Sequence, residues 1–195
     1  MFIQTEQTPN PASLKFLPGC EVMVRGTAEF RDADEARISP LAGQLLRIKG
    51  VVAVFLGKDF ITVTKAAGAE WSALKPLILA ELMEHFTTGR KVMLDECGAE
   101  KGAPHVEHGG HISAAAGDDD EIVRQIKELL DTRIRPVVAQ DGGDIVFSSF
   151  EGGIVYLHMR GACAGCPSST ATLKAGIENM LKHFVPEVKE VRAVN

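Results

Sequence analysis

Gly161-Ala-Cys-Ala-Gly-Cys-Pro-Ser-Ser-Thr170 joins a strand-like run, Ile154 to Met159, to a helix-like run, Ser168 to Phe184. Within it Cys163 and Cys166 form a C-x-x-C. Two thiols at this spacing can hold one metal centre from a single turn, yet they supply only half of a four-thiolate site. The chain contains no second C-x-x-C. The missing ligands must come from elsewhere in the chain, from a second copy of it, or from outside. Otherwise the pair performs thiol–disulfide chemistry and binds no metal.

The local residue types suit an exposed turn that presents both sulfurs. Backbone N–H groups at the start of a helix favour a thiolate over a thiol. Gly161 and Gly165 lack a Cβ, so the backbone can fold the sulfurs toward one point and leave room for a bulky centre. Ser168 and Thr170 add donors that can cap the helix or reach a sulfur.

Outward from the turn, the pattern predicts a small α+β unit. Asp118-Asp-Asp-Glu121 suits a helix N-terminus, and Ile122, Ile126, Leu129 and Leu130 give the apolar stripe of a helix reaching about Ile134. Arg135-Pro136 should end or bend it. Asp141-Gly-Gly-Asp144 reads as a tight turn. Ile145 to Phe150 and Ile154 to Met159 read as strands joined by Glu151-Gly-Gly153. The second helix carries Leu173, Ile177, Met180, Leu181 and Phe184 on one face, and Val188 to Val194 closes as a strand. The order α-β-β-α-β predicts a three-stranded sheet with both helices on one face.

An earlier unit occupies residues 1–88. Ser13 to Leu17 and Val22 to Arg25 are strand candidates around Pro18-Gly19. Ser39-Pro40 starts a helix running to about Ile48. Val51 to Leu56 and Phe60 to Thr64 read as a hairpin, and a second helix runs from about Ser72 to Phe86 with Leu74, Leu77, Ile78, Leu82 and Phe86 inward. Residues 89–117 are rich in Gly and Ala and poor in large apolar residues, so a flexible linker is expected there. The fold class is therefore α+β in two small domains, 1–88 and 118–195.

Bulk composition narrows the function. The 195 residues are 45% hydrophobic and 24% charged, ordinary for a globular chain. A net charge of −5 without a basic run argues against nucleic-acid binding. No apolar run reaches the roughly 18–20 residues of a membrane span. The opening Met1-Phe-Ile-Gln-Thr-Glu6 has neither signal- nor transit-peptide character. Four scattered cysteines make no disulfide framework. A reducing, bacterial cytoplasmic setting is expected, or the mitochondrial matrix for a mature eukaryotic form.

Four chemistries compete for Cys163 and Cys166. They can be a buried structural feature or a chance spacing, which the small turn residues disfavour because they argue for an exposed loop. Structural zinc needs four protein ligands. The nearest downstream histidine, His183, lies at the far end of the next helix, and Cys20 and Cys97 lie in other segments. A thioredoxin-like oxidoreductase places C-x-x-C at a helix start but needs a larger β-α-β context. An iron–sulfur cluster takes four thiolates, and a two-fold dimer supplies two from each copy. A cluster held at such a seam should be easily given away, which suits a carrier.

The run RPVVAQDGGDIVF from Arg135, and VYLHMRGACAGCPSSTATLKAGIENMLKHFVPEV from Val155, closely resemble the C-terminal domain of NifU, the module that defines the Nfu family. TPNPASLKFLPG from Thr8, SPLAGQLLRIKGVVAVFLGKDFITVTK from Ser39 and WSALKPLI from Trp71 resemble the N-terminal domain that accompanies it. This resemblance covers nearly the whole chain outside the linker. It implies a non-enzymatic iron–sulfur scaffold or carrier. Such a protein binds a [4Fe–4S] cluster between two subunits through Cys163 and Cys166, and passes it to apo iron–sulfur proteins. Upstream cluster-assembly proteins are further implied partners.

The remaining candidates carry blander expectations. Cys20 and Cys97 read as incidental thiols. His105, His108 and His111 recur every three residues in a Gly-rich stretch and read as a solvated tract rather than a metal site. Asp141 and Asp144 read as residues of a turn leading into a strand.

Overall fold

The computed structural model describes residues 2–94, 118–164 and 167–194. Cys97, His105, His108, His111 and Cys166 lie outside the described residues, as does most of the expected linker.

The first unit is a five-stranded antiparallel sheet with helices packed on one face. Its strands are β1 (Gln4–Gln7), β2 (Ser13–Leu17), β3 (Ala28–Phe30), β4 (Val51–Leu56) and β5 (Ile61–Lys65), in the order β1-β2-β5-β4-β3. Helix α1 (Pro40–Leu46) starts where Ser39 Oγ accepts from the Ala42 N–H at 3.2 Å, with proline in the first turn where no N–H is needed. Helix α2 spans Trp71–Thr87. Leu14, Phe16, Val54, Leu56, Ile61 and Val63 from the strands meet Leu41, Leu45, Leu74, Ile78 and Leu82 from the helices in one core.

Three expectations here need correction. Val22–Arg25 is not a strand: Val22 packs into the core, while the Val22 and Met23 N–H groups both donate to Lys58 O. The strand forms later, at Ala28–Phe30, after Gly26 turns the chain with φ +65°. Strand β1, Gln-Thr-Glu-Gln, escaped the sequence reading because an edge strand with polar residues on both faces shows no apolar alternation. Leu77, assigned to the buried stripe of α2, is more than half exposed. Beyond α2, Val92 and Met93 pack on this core, and the Leu94 N–H donates to Ile38 O at 2.8 Å.

The second unit has the order α3 (Asp118–Leu129), a π-helical turn (Leu130–Ile134), α4 (Arg135–Gln140), β6 (Gly143–Glu151), β7 (Ile154–Gly161), α5 (Pro167–Phe184) and β8 (Glu190–Val194). The three strands lie in the order β6-β7-β8, antiparallel then parallel. Ile126, Leu130, Ile134 and Val138 from the first helical stretch meet Ile177 and Leu181 of α5 over Ile145, Val155 and Leu157 of the sheet. Pro136 does not end the helix. The Arg135 N–H reaches Leu130 O, five residues back, so the wider turn takes up the proline and α4 continues the path.

Candidate metal centre

Cys163 sits in the short turn that leaves β7, whose last residue, Gly161, pairs across the hairpin with Gly143. Gly161 adopts φ +63°, open to glycine at little cost. The Ala164 N–H donates back to Gly161 O at 3.1 Å, and the Ala162 N–H to Gly142 O at 3.1 Å. These bonds curl the chain so that the Cys163 side chain turns inward, onto the cluster formed by Ile145, Val155, Ile177 and Leu181.

Cys163 is only 6% exposed. Burial, and then the carboxylates of Asp141 and Asp144, push its thiol up to about 12. The expected exposed turn with a favoured thiolate is therefore corrected for Cys163. Helix α5 begins only at Pro167, and the field of a helix end fades within a turn. Two acidic residues and the loss of water act in the opposite sense.

Gly143 makes the inward position possible. A Cβ there would lie 2.5 Å from Cys163 Sγ and 2.8 Å from Arg160 O, closer than atoms pack. Gly143→Ala must therefore push the cysteine or the strand aside. The expected result is a loss of about 1–2 kcal/mol from the second unit in urea unfolding, typical of overpacking, with displaced NMR resonances for Ala162–Ala164. Unchanged stability together with unchanged resonances would show that the sulfur does not occupy this cradle.

Asp144 is a structural anchor beneath the turn. Its Oδ1 accepts from Arg135 Nε at 2.7 Å and from the Ile145 N–H at 2.8 Å. Its Oδ2 accepts from Arg135 Nη2 at 2.8 Å and from Thr27 Oγ1 of the first unit at 2.7 Å. Arg135 also bonds Asp131 at 2.9 Å, one turn earlier on the helix. Asp141 instead lines a small cavity beside Cys163. The Asp-Gly-Gly-Asp stretch is thus a turn, as its composition implied, but its second carboxylate is buried and ion-paired. The pairing of Asp144 with Arg135, nine residues earlier, was not legible in the sequence; it needed the fold.

Cys20 is exposed in the first unit, in the turn after β2. Among the described residues no three His, Cys, Asp or Glu side chains converge to hold a metal. Among them, too, no helix is long and apolar enough to cross a membrane. Several residues touching the cysteine turn or the segment 140–142 beside it were not legible as such: Asn10, Lys15, Glu29, Phe55 and Thr62, all from the first unit. For the four in strands the sequence signal is polar or aromatic residues alternating with core positions; Asn10 lies in the turn between β1 and β2.

Two family models match in succession. One, described as the N-terminal part of the scaffold protein Nfu/NifU, covers residues 3–89. The other, a NifU-like domain, covers residues 126–192. A protein of Drosophila ananassae named as a mitochondrial NFU1 iron–sulfur cluster scaffold homolog is 51% identical over 195 residues, all of this chain and 64% of its own length. One of the same name from Drosophila persimilis is 50% identical, again over the whole chain and 65% of its own length. The chain thus spans under two thirds of these relatives. A solution structure of a NifU-like protein from Saccharomyces cerevisiae is 30% identical, covering 49% of this chain and 87% of that one, with a TM-score of 0.45.

The relatives' names overturn the bacterial cytoplasmic expectation, since they are mitochondrial proteins at about half identity across the chain. That expectation rested on the residues at which the chain starts. An address is carried by a segment separable from the fold, so those residues do not decide it.

Proposed function

The chain belongs to the Nfu/NifU family, with an Nfu-type N-terminal domain followed by a NifU-like domain, and from this we propose that it is an iron–sulfur cluster scaffold and carrier. Its cargo is a [4Fe–4S] cluster held by Cys163 and Cys166 of two subunits. Its role is binding and hand-over rather than turnover. The first domain, 1–88, recognises recipient or assembly partners, the second, 118–195, holds the cargo, and residues 89–117 link them.

The observation that carries this reading is the Cys163 turn itself, within a chain that matches both domains in order. A sulfur at a strand end, with Gly143 leaving its place free, sits at the end of a hairpin just ahead of a helix. Such a scaffold fixes one ligand, and the C-x-x-C spacing supplies a second. Two chains then provide four thiolates, the number a cubane cluster takes. Release follows by ligand exchange: thiolates of a recipient apo-protein displace Cys163 and Cys166 in turn, and parting of the dimer removes half the ligands at once. Each cysteine must lose its proton before ligating, so loading releases protons.

Anaerobic reconstitution with iron and sulfide tests this. The wild-type protein should take up about four irons and four sulfides per dimer, with a visible absorption band and a mass by light scattering that doubles on loading. A colourless monomer that cycles a Cys163–Cys166 disulfide would replace the scaffold reading with redox chemistry.

A further inference from the structure

The five-stranded sheet has two faces, and its helices cover only one. Leu14, Val63, Val54 and Phe30 form a cross-strand row pointing into the helix-covered core. The next row points the other way: Glu6, Lys15, Thr62, Phe55 and Glu29 are successive partners across all five strands. In a domain standing alone this row would face water. Here Lys15 is 7% exposed and Thr62 and Phe55 are 1% exposed.

The second domain covers it, with the turn between α4 and β6 and with the chain that leaves β7 toward Cys163. Lys15 Nζ donates to Gln140 O at 3.0 Å. Thr62 Oγ1 donates to Gly142 O at 2.7 Å. Glu29 Oε1 accepts from the Gly161 N–H at 3.3 Å, and Asn10 Nδ2 donates to Ala164 O at 3.3 Å. The order along the row matches the turn: donors meet the two carbonyls before β6, and the carboxylate meets the N–H at the end of β7.

The fit depends on two glycines at positive φ. A Cβ on Gly142 would stand 2.8 Å from Thr62 Oγ1, and one on Gly161 would stand 3.0 Å from the Phe55 ring. Beside Cys163 there remains a cavity of about 30 Å³, walled by Pro9 of the first domain and by Asp141, Ala162 and Leu173 of the second. That is space on the scale of a water molecule, far below four irons, four sulfides and a partner's sulfurs.

We propose that the helix-free face of the N-terminal sheet is a docking surface for two adjoining segments of the same chain, residues 140–142 and 161–164, which together bury Cys163. The docked arrangement is closed to metal, and the domains must part before an iron centre or a second subunit reaches Cys163. The surface is specific to a glycine-rich turn with outward carbonyls. It covers the ligand of an empty carrier and is released when cargo or a partner arrives. The docking stands on the contacts alone, whereas its consequence for cargo rests on the scaffold reading above. Domain contacts of this polar kind are readily broken and remade.

The test uses the full-length, reduced, metal-free chain. Thr62→Arg places a long charged side chain against Gly142 while leaving the core face of β5 untouched. Glu29→Arg, on the edge strand β3, is an independent second breach. Peptide mapping after N-ethylmaleimide treatment should show Cys163 labelled at least about tenfold faster in each variant than in wild type, as expected when protection comes from a closed state. NMR relaxation should give one tumbling time for both wild-type domains and two for the variants.

Equal labelling of Cys163 in wild type and in folded variants, or independent tumbling of the wild-type domains, would overturn the proposal. So would a cluster-loaded wild type whose domains still tumble as one. Protection lost on mutation, in a protein that never binds iron and sulfide, would uphold the docking surface and remove the scaffold reading instead.

Discussion

Cys163→Ala yields a folded chain that retains no stable cluster. In the proposed site the four thiolates of the cubane come two from each chain, so the variant dimer would offer only its two Cys166 sulfurs. The fold survives because the substitution replaces a small buried side chain by a smaller one. Cys163 packs among Ile145, Leu157 and Ile177, and removing one sulfur from such a core costs about 1 kcal/mol. Iron and sulfide analysis after anaerobic reconstitution, beside far-ultraviolet circular dichroism, reads both halves. Loss of the iron with unchanged dichroism is the expected result. A full complement of iron and sulfide in the variant would remove Cys163 from the ligand set. Alanine is the informative choice, because serine would bury a hydroxyl and mix a folding defect with a binding one.

Asp144→Ala should cost the second domain about 3 kcal/mol, the low end for breaking a buried ion pair. The low end applies because the Arg135 side chain is 35% exposed and keeps Asp131 as a second partner. Three groups lose their acceptor together: the guanidinium, the Ile145 N–H and Thr27 Oγ1. The Ile145 N–H bond is buried, and an unmet buried donor is costly. Asp144→Asn should recover part of the loss, since an amide oxygen still accepts but no longer balances the charge. Urea unfolding followed by NMR signals of β6 and β7 measures the effect. A midpoint within error of wild type for the alanine variant would mean that the pair contributes no net stability.

Periodicity read well where one face of an element meets a core. The stripe Ile126 and Leu130, the inward Ile177 and Leu181, and the strand runs around Val54, Val63, Val155 and Leu157 were all legible, because burial imposes a period on the sequence. Where no face is buried against the domain's own core, the signal vanishes, as in β1. Val22 misled because an apolar residue can enter a core from an irregular segment. At Pro136 the sequence left open an end or a bend, and the chain absorbed the proline in a wider helical turn.

By itself the sequence determined the two α+β units, their order, the resemblance that names the family, and the C-x-x-C spacing on which the proposed cargo site rests. Each depends on residue type and near spacing, which the chain carries openly. Only the tertiary structure decided that Cys163 is buried with a raised thiol, that Gly143 makes room for its sulfur, that Asp144 pairs with Arg135, and that the row from Lys15 to Glu29 lies on the turn before β6 and the end of β7. These depend on the distance between residues as far apart as Asn10 and Ala164, which meet at 3.3 Å. Polar contacts of that kind impose no period on either segment, so nothing in either segment alone announces the other.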